Sequence, residues 1–265
     1  MNLPSVYGKI QQPGFFIFTA CDTKYFEDFG KSLINSVLKN TNLGIHVHIF
    51  NPTEENIKFC QTQSRVSVSY EHVSRESFIK AANKWKNEPQ NEPEITRYKR
   101  TLTAMSKGND IDLLDRIQKT YYACARFIRL ENLTKEGDKF FAMDVDAIVR
   151  NNIPMLPTNK DCYLHKITGK KARILAGGLY TNGNANGRQF LKEYSHALTN
   201  NIANDYIYWS MDQDLLDIVA PKYTIGDLPI TLIDWDMKSE SVVWTAKGLR
   251  KDMPVFISEK KKYES

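Results

Sequence analysis

Apolar positions in this chain come as short continuous runs separated by stripes at helical spacing. Phe15 to Ala20 is apolar enough for a buried strand, just after Pro13-Gly14 breaks the leader. Phe29, Leu33, Ile34, Val37 and Leu38 then recur at the period of a helix, which predicts an amphipathic helix over Tyr25 to Lys39. Ile45 to Phe50 is strand-like and stops at Asn51-Pro52, and Val66 to Tyr70 reads as a third strand. The rhythm is that of strands joined by crossover helices. A long helix with Tyr121, Tyr122 and Phe127 is predicted over Leu113 to Leu130, followed by a buried strand over Lys139 to Met143. Beyond it the pattern turns irregular. Ile174 to Tyr180 is strand-like but holds Gly177-Gly178, Gly187 to Leu198 and Met211 to Val219 are helical, and Val242 to Thr245 is a last short strand. The polar, proline-containing stretch Lys86 to Glu94 reads as a surface insertion, because the αβ pattern resumes after it.

Composition narrows the class. A chain of 265 residues with 42% hydrophobic and 25% charged residues is an ordinary globular protein that can bury a core without staples. Cys21, Cys60, Cys124 and Cys162 are scattered, which argues against a zinc site or a disulfide framework and for a reducing compartment. The segment Met1 to Ser5 lacks the layout of a signal peptide, and no apolar run reaches the length of a membrane span. The expected location is the cytoplasm, or the host cytoplasm for a viral protein. The net charge of +5 is modest. Basic residues gather at Arg97, Lys99 and Arg100, at Lys166, Lys170, Lys171 and Arg173, at Lys247, Arg250 and Lys251, and at Lys260 to Lys262. They read as solvated surface with a frayed tail, or as a basic rim for a diphosphate or for DNA.

The sharpest chemical clue is Asp144-Val145-Asp146 at the C-terminal end of the Lys139 to Met143 strand. Ligands of open α/β sheets bind outside the carboxyl ends of strands, and paired carboxylates suit Mg²⁺ or Mn²⁺ holding a diphosphate. The plain alternative is an acidic turn. At the end of the first strand, Ala20-Cys21-Asp22-Thr23 and Tyr25 suit a nucleoside, whereas Asp22 or Thr23 also suits a helix N-cap. Gly177-Gly178 fits close approach of a ligand or a bulge. Ser210 and Gln213 have capping-box spacing, which by itself accounts for Asp212 and Asp214 in a first helical turn. Lys247-Gly248 is either a surface turn or a cation for a leaving diphosphate. Asp234-Trp235-Asp236 is a second, weaker acidic pair. There is no GxGxxG at the first strand and no P-loop anywhere.

Taken in order, these pieces resemble the GT-A fold nucleotide-sugar glycosyltransferases, in particular the retaining family 8 group that includes glycogenin and lipopolysaccharide galactosyltransferases. The matching features run from Phe15 to Gly248. The resemblance implies a GT-A fold, with a Rossmann-like mixed sheet flanked by helices. It implies one domain over 1–265, with a nucleotide-binding half near 14–146, an acceptor half near 147–250 and a basic tail over 251–265. It implies a glycosyltransferase that uses a nucleotide-diphosphate sugar, UDP-sugar favoured, with Mn²⁺ or Mg²⁺ and retention at the anomeric carbon. Asp144 and Asp146 would then hold metal, and Ala20, Asp22 and Tyr25 the nucleoside. Arg126, Val145, Gly177 and Gly178 would line the donor site. Asp212, Gln213 and Asp214 would face the sugar, and Lys247 with Gly248 the diphosphate. One feature departs from the group. Its usual third metal ligand, a histidine shortly before the lysine-glycine, is absent; Val243-Trp244-Thr245 stands there and the last histidine is His196. The acceptor is open, with a DNA base as one alternative, and a non-catalytic sugar-nucleotide or DNA-binding protein as another.

Overall fold

The computed structural model describes residues 1–12, 14–87, 113–167 and 173–264. Most of the Lys86 to Glu94 insertion, the Arg97 to Arg100 cluster, and Lys170 and Lys171 lie outside these residues.

The strands are β1 (Tyr7–Gly8), β2 (Phe15–Asp22), β3 (Gly44–Phe50), β4 (Val66–Glu71), β5 (Lys139–Met143), β6 (Ala147–Val149), β7 (Cys162–Ile167), β8 (Arg173–Thr181), β9 (Ile225–Asp227), β10 (Ile233–Asp234) and β11 (Val243–Thr245). Eight of them form one mixed sheet in the order β1-β4-β3-β2-β5-β8-β7-β9. The β4-β3-β2-β5 core is parallel, and β8 runs antiparallel to both β5 and β7. A smaller sheet, β10-β11-β6, stands beside it. The fold is therefore α/β with a mixed sheet, as the crossover rhythm implies.

The helices follow the stripes closely. The Tyr25 to Lys39 prediction corresponds to α1 (Thr23–Tyr25), a π-helical turn over Phe26–Gly30, and α2 (Lys31–Asn40). In the π turn the Lys31 N–H donates to the Phe26 carbonyl, five residues back. A Cβ on Gly30 would lie 2.7 Å from the Phe26 ring, so only glycine lets that ring lie against the turn. Next come α3 (Glu54–Thr62) and α4 (Ile79–Asn87), then α5 (Leu113–Leu133), α6 (Ala185–Ala203), α7 (Met211–Val219) and α8 (Pro254–Lys261). One apolar core lies under α5, α6 and α7, with Phe18, Phe127, Tyr194 and Leu216 buried in it. A second lies between the sheet, α2 and the β6-β11 strands.

The frayed-tail expectation fails. Residues 254–261 are helical, and Phe256 and Tyr263 are buried against Ile148 and Trp244. Lys260 is tied down as well, its Nζ donating to the Asp28 carbonyl at 2.8 Å. Among the described residues no helix is long and apolar enough to cross a membrane. All four cysteines are buried and unbonded to one another.

Candidate active site

Parallel strands β2 and β5 end side by side, and the sequence segments that leave them line a cavity of about 370 Å³. Ala20, Asp22 and Tyr25 come from the end of β2 and α1, Arg126 from α5, and Asp144, Val145 and Asp146 from the turn after β5. Gly177 comes from β8, Asp212 and Gln213 from α7, and Lys247 from the turn after β11. A separate depression of about 440 Å³ beside Gly8 and Val66 is lined by no carboxylate.

Asp22 combines a helix cap with a place on the cavity wall. Its Oδ1 accepts the Tyr25 N–H at 2.8 Å as the N-cap of α1, and its side chain faces the cavity. Asp144 is bound by the Arg126 guanidinium, whose other arm donates to the Ala176 carbonyl at 2.6 Å. Arg126 is almost fully buried, so this pair anchors the β5 turn to β8 from below. The glycine at 177 makes room for that arrangement: a Cβ there would come 3.0 Å from Asp144 Oδ2. Gly178 turns the other way, toward Leu228 and Ile233, and is a packing position outside the cavity.

Asp146 is bonded to Lys251, Nζ to Oδ2 at 2.7 Å. The same ammonium donates to the Tyr25 hydroxyl at 3.0 Å and stands 4.4 Å from the centre of that ring. Burial and the Asp144 carboxylate push the Asp146 carboxyl up to about 6, against the pull of Lys251. Asp212 is buried at the start of α7, and burial raises its carboxyl while Arg126 and the Gln213 N–H oppose the rise. Tyr194 holds this turn by donating its hydroxyl to the Asp212 carbonyl at 2.7 Å.

The capping-box account of this turn does not hold. Ser210 is left-handed, with φ 69°, and its side chain caps nothing; its carbonyl accepts the Gln213 and Asp214 N–H groups at 3.0 Å each. Asp214 is directed away from the cavity, with Oδ1 3.4 Å from the Arg173 guanidinium. Gly248 also lies outside the lining; with φ 63° it turns the chain after Lys247. The weaker acidic pair is a turn. Asp234 accepts N–H bonds from Asp236 and Lys238 at 2.8 and 2.7 Å, and the Ser241 hydroxyl at 3.1 Å.

Sequence reasoning missed Trp209, Trp235 and Lys251, all of which line the cavity. Lys247 Nζ sits 5.3 Å from the Trp235 ring centre. Lys251 was visible only as one member of a basic cluster.

The arrangement does not fit a resident divalent ion. Each carboxylate of the Asp-x-Asp pair is already paired with a cation. Among the described residues no three His, Cys, Asp or Glu side chains form a metal-holding group. His165 instead packs on Trp235, ring centres 4.9 Å apart.

No protein-family model and no curated sequence matches this chain significantly. Solved structures do. The galactosyltransferase LgtC in complex with donor and acceptor sugar analogues superposes with a TM-score of 0.53 at 13% identity, covering 94% of this chain and 96% of that one. The bifunctional glycosyltransferase WbbM gives 0.54 at 12% identity, with 96% of this chain matched to 50% of that one. GlyE of Streptococcus pneumoniae TIGR4, in its apo form, gives 0.53 at 12% identity, with 93% of this chain and 60% of that one. The chain has the GT-A fold. In this GT-A fold the cavity lies at the carboxyl ends of β2 and β5, where open α/β sheets bind ligands.

Proposed function

We propose that the chain is a glycosyltransferase that moves a sugar from a nucleotide-diphosphate donor, UDP-sugar favoured, to an acceptor hydroxyl or amine with retention of anomeric configuration. The observation that carries this is the convergence of Asp22, Tyr25, Asp144, Asp212, Gln213 and Lys247 on one cavity from four separate segments of the chain. The glycosyltransferase identity of the GT-A neighbours adds support.

Each residue then has a task. Tyr25 offers a flat face to the base and Asp22 a carboxylate to the ribose. The sugar's bond from its anomeric carbon to the diphosphate oxygen breaks, one to the acceptor atom forms, and the acceptor's proton passes to the departing diphosphate oxygen. Negative charge grows on the departing diphosphate, and Lys247 and Lys251 meet it with ammonium groups held in place before the reaction. Gln213 and Asp212 orient the sugar from the α7 turn. A glutamine of LgtC has been studied as an active-site variant, and Gln213 is the glutamine that lines this cavity. Asp144 holds its geometry through Arg126.

No observation among the described residues favours DNA as acceptor. Lys260 and Lys262 of the C-terminal basic run are engaged with Glu264 and Glu259.

The test is donor turnover: incubation with a panel of nucleotide-diphosphate hexoses and quantification of released nucleoside diphosphate. Lys247→Met should lower kcat by about 10²-fold, with KM little changed, because the contact strengthens as charge develops. Failure of the protein to consume any donor would refute the function. An unchanged kcat in Lys247→Met would return that lysine to ordinary surface.

A further inference from the structure

We propose that the Lys251 ammonium is the built-in counter-cation of the Asp144-Val145-Asp146 turn, standing in for a divalent ion, so that a nucleoside diphosphate binds here without metal. This rests on the reading of the cavity as a nucleotide-diphosphate site.

The geometry is that of a seated cation. Lys251 reaches in from the 3-10 turn Gly248–Asp252 and has only 19% of its side chain exposed. An ammonium has three N–H donors. One goes to Asp146 Oδ2 at 2.7 Å and one to the Tyr25 hydroxyl at 3.0 Å. The third is left for a phosphate oxygen. The ammonium also lies over two rings, with Nζ 4.4 Å from the centre of Tyr25 and 5.2 Å from that of Phe29.

Installing a divalent ion would undo two ion pairs. Freeing Asp144 would take from the buried Arg126 guanidinium its ion-pair partner, leaving it the Ala176 carbonyl and the neighbouring Asp212. Separating a buried cation from its carboxylate is costly. Of the residues that precede Lys247, Val243, Trp244 and Ala246 are buried and apolar, and Thr245 offers only a neutral hydroxyl where the family has an imidazole. The cavity also brings its own positive charge. Five basic side chains line it, Arg116, Lys119, Arg126, Lys247 and Lys251, against four acidic ones. The wall is thus net positive before any ion arrives, which is the condition a dianionic diphosphate needs.

Two measurements on the intact protein decide the matter. In the first, Mn²⁺ alone is titrated into the wild-type protein and followed by electron paramagnetic resonance of the free ion. The expected result is no uptake up to millimolar concentration; tight uptake overturns the proposal. In the second, calorimetry measures UDP, ADP, GDP and CDP binding in EDTA and in Mn²⁺. Affinity for the best ligand should agree within about twofold between the two buffers. Lys251→Met should lose about tenfold in EDTA, the loss of one charge-assisted hydrogen bond, and Lys251→Arg should retain binding. Thermal unfolding confirms that each variant is folded, and the Mn²⁺ titration depends on neither. Binding seen only with Mn²⁺ would overturn this inference and leave the proposed function standing. Unchanged binding in folded Lys251→Met would also overturn it. Absence of binding in both buffers would take the proposed function down with it.

Discussion

The protein pairs carboxylates with largely buried cations in two places, and the two places differ in access. Under the sheet, Glu71 at the end of β4 pairs with Arg129 and accepts the Tyr121 hydroxyl at 2.7 Å. His48 and His46 continue this strip through Ser69 and Ser67, with three nitrogen-to-oxygen distances of 2.8 Å. Arg129 spends another arm on the Pro4 carbonyl at 2.9 Å. Glu71, Arg129, Tyr121, both histidines and both serines are buried. At the other site, Asp144 pairs with Arg126 and Asp146 with Lys251, but the same carboxylates open on a cavity. The chemistry of the pairs is alike; access separates them. A closed network holds strands in register and contributes to stability, whereas an open one exposes its groups to a ligand. Burial of charge therefore marks function here only where it coincides with empty space.

The largest effect of a substitution is expected at the closed network. Arg129→Met leaves Glu71 charged, buried and without its main cation, and should destabilise the fold by about 3–5 kcal/mol. Urea unfolding measures this, and donor affinity per folded molecule should not change. A loss of donor affinity without a loss of stability would mean the two regions are not separable.

The histidines give a second, smaller handle. Burial, with His48 beside it, holds the His46 imidazole down to about 3, against an ordinary value near 6.5. The unfolded chain binds that proton first, so His46 contributes its full stability above about pH 6.5 and loses it as pH falls toward 3. His46 alone should cost about 2 kcal/mol between pH 7 and pH 5. The urea midpoint at the two pH values tests this, and His46→Gln should flatten the difference. Burial also lowers His48, which steepens the same slope. A midpoint that is flat over this range would contradict a closed network.

Asp22 sharpens the contrast with the smallest change, because it is both cap and cavity wall. Asp22→Ala should cost about 1 kcal/mol of stability through the lost Tyr25 N–H bond, and should also raise the Kd for nucleoside diphosphate. Thermal unfolding and calorimetry on the same sample separate the two. A stability loss with unchanged affinity would assign Asp22 to the cap alone.

Much of this architecture is legible in the chain because strands and helices write their burial as period. The continuous run Phe140 to Met143 is too short for a helix and reads as a strand buried on both faces, and Met211 to Val219 has the helical bounds its stripe indicates. Asp144 and Asp146 are readable because they end such a strand. The π turn at Phe26 to Gly30 is hidden, since it adds one residue to a helix without altering its composition. Helix α8 is hidden because its apolar residues do not form a stripe: Val255 and Ile257 stay exposed while Phe256 is buried. Lys251 is hidden for a deeper reason. A lysine carries no mark of its partner in sequence, and its pairing with Asp146 across the chain exists only once the turn after β11 folds back over the cavity. Ser210 misleads in the opposite sense. Its spacing to Gln213 satisfies a capping rule, yet its left-handed backbone turns the side chain away from the helix end.

The central claim is that the open cavity, and not the closed network, receives a nucleotide-diphosphate sugar. A crystal structure with a bound nucleoside diphosphate tests it most directly. The expected complex has the base against Tyr25 and the diphosphate between Lys247 and Lys251, beside the turn that carries Asp144 and Asp146. A nucleotide bound elsewhere on the molecule, with this cavity empty, would contradict it.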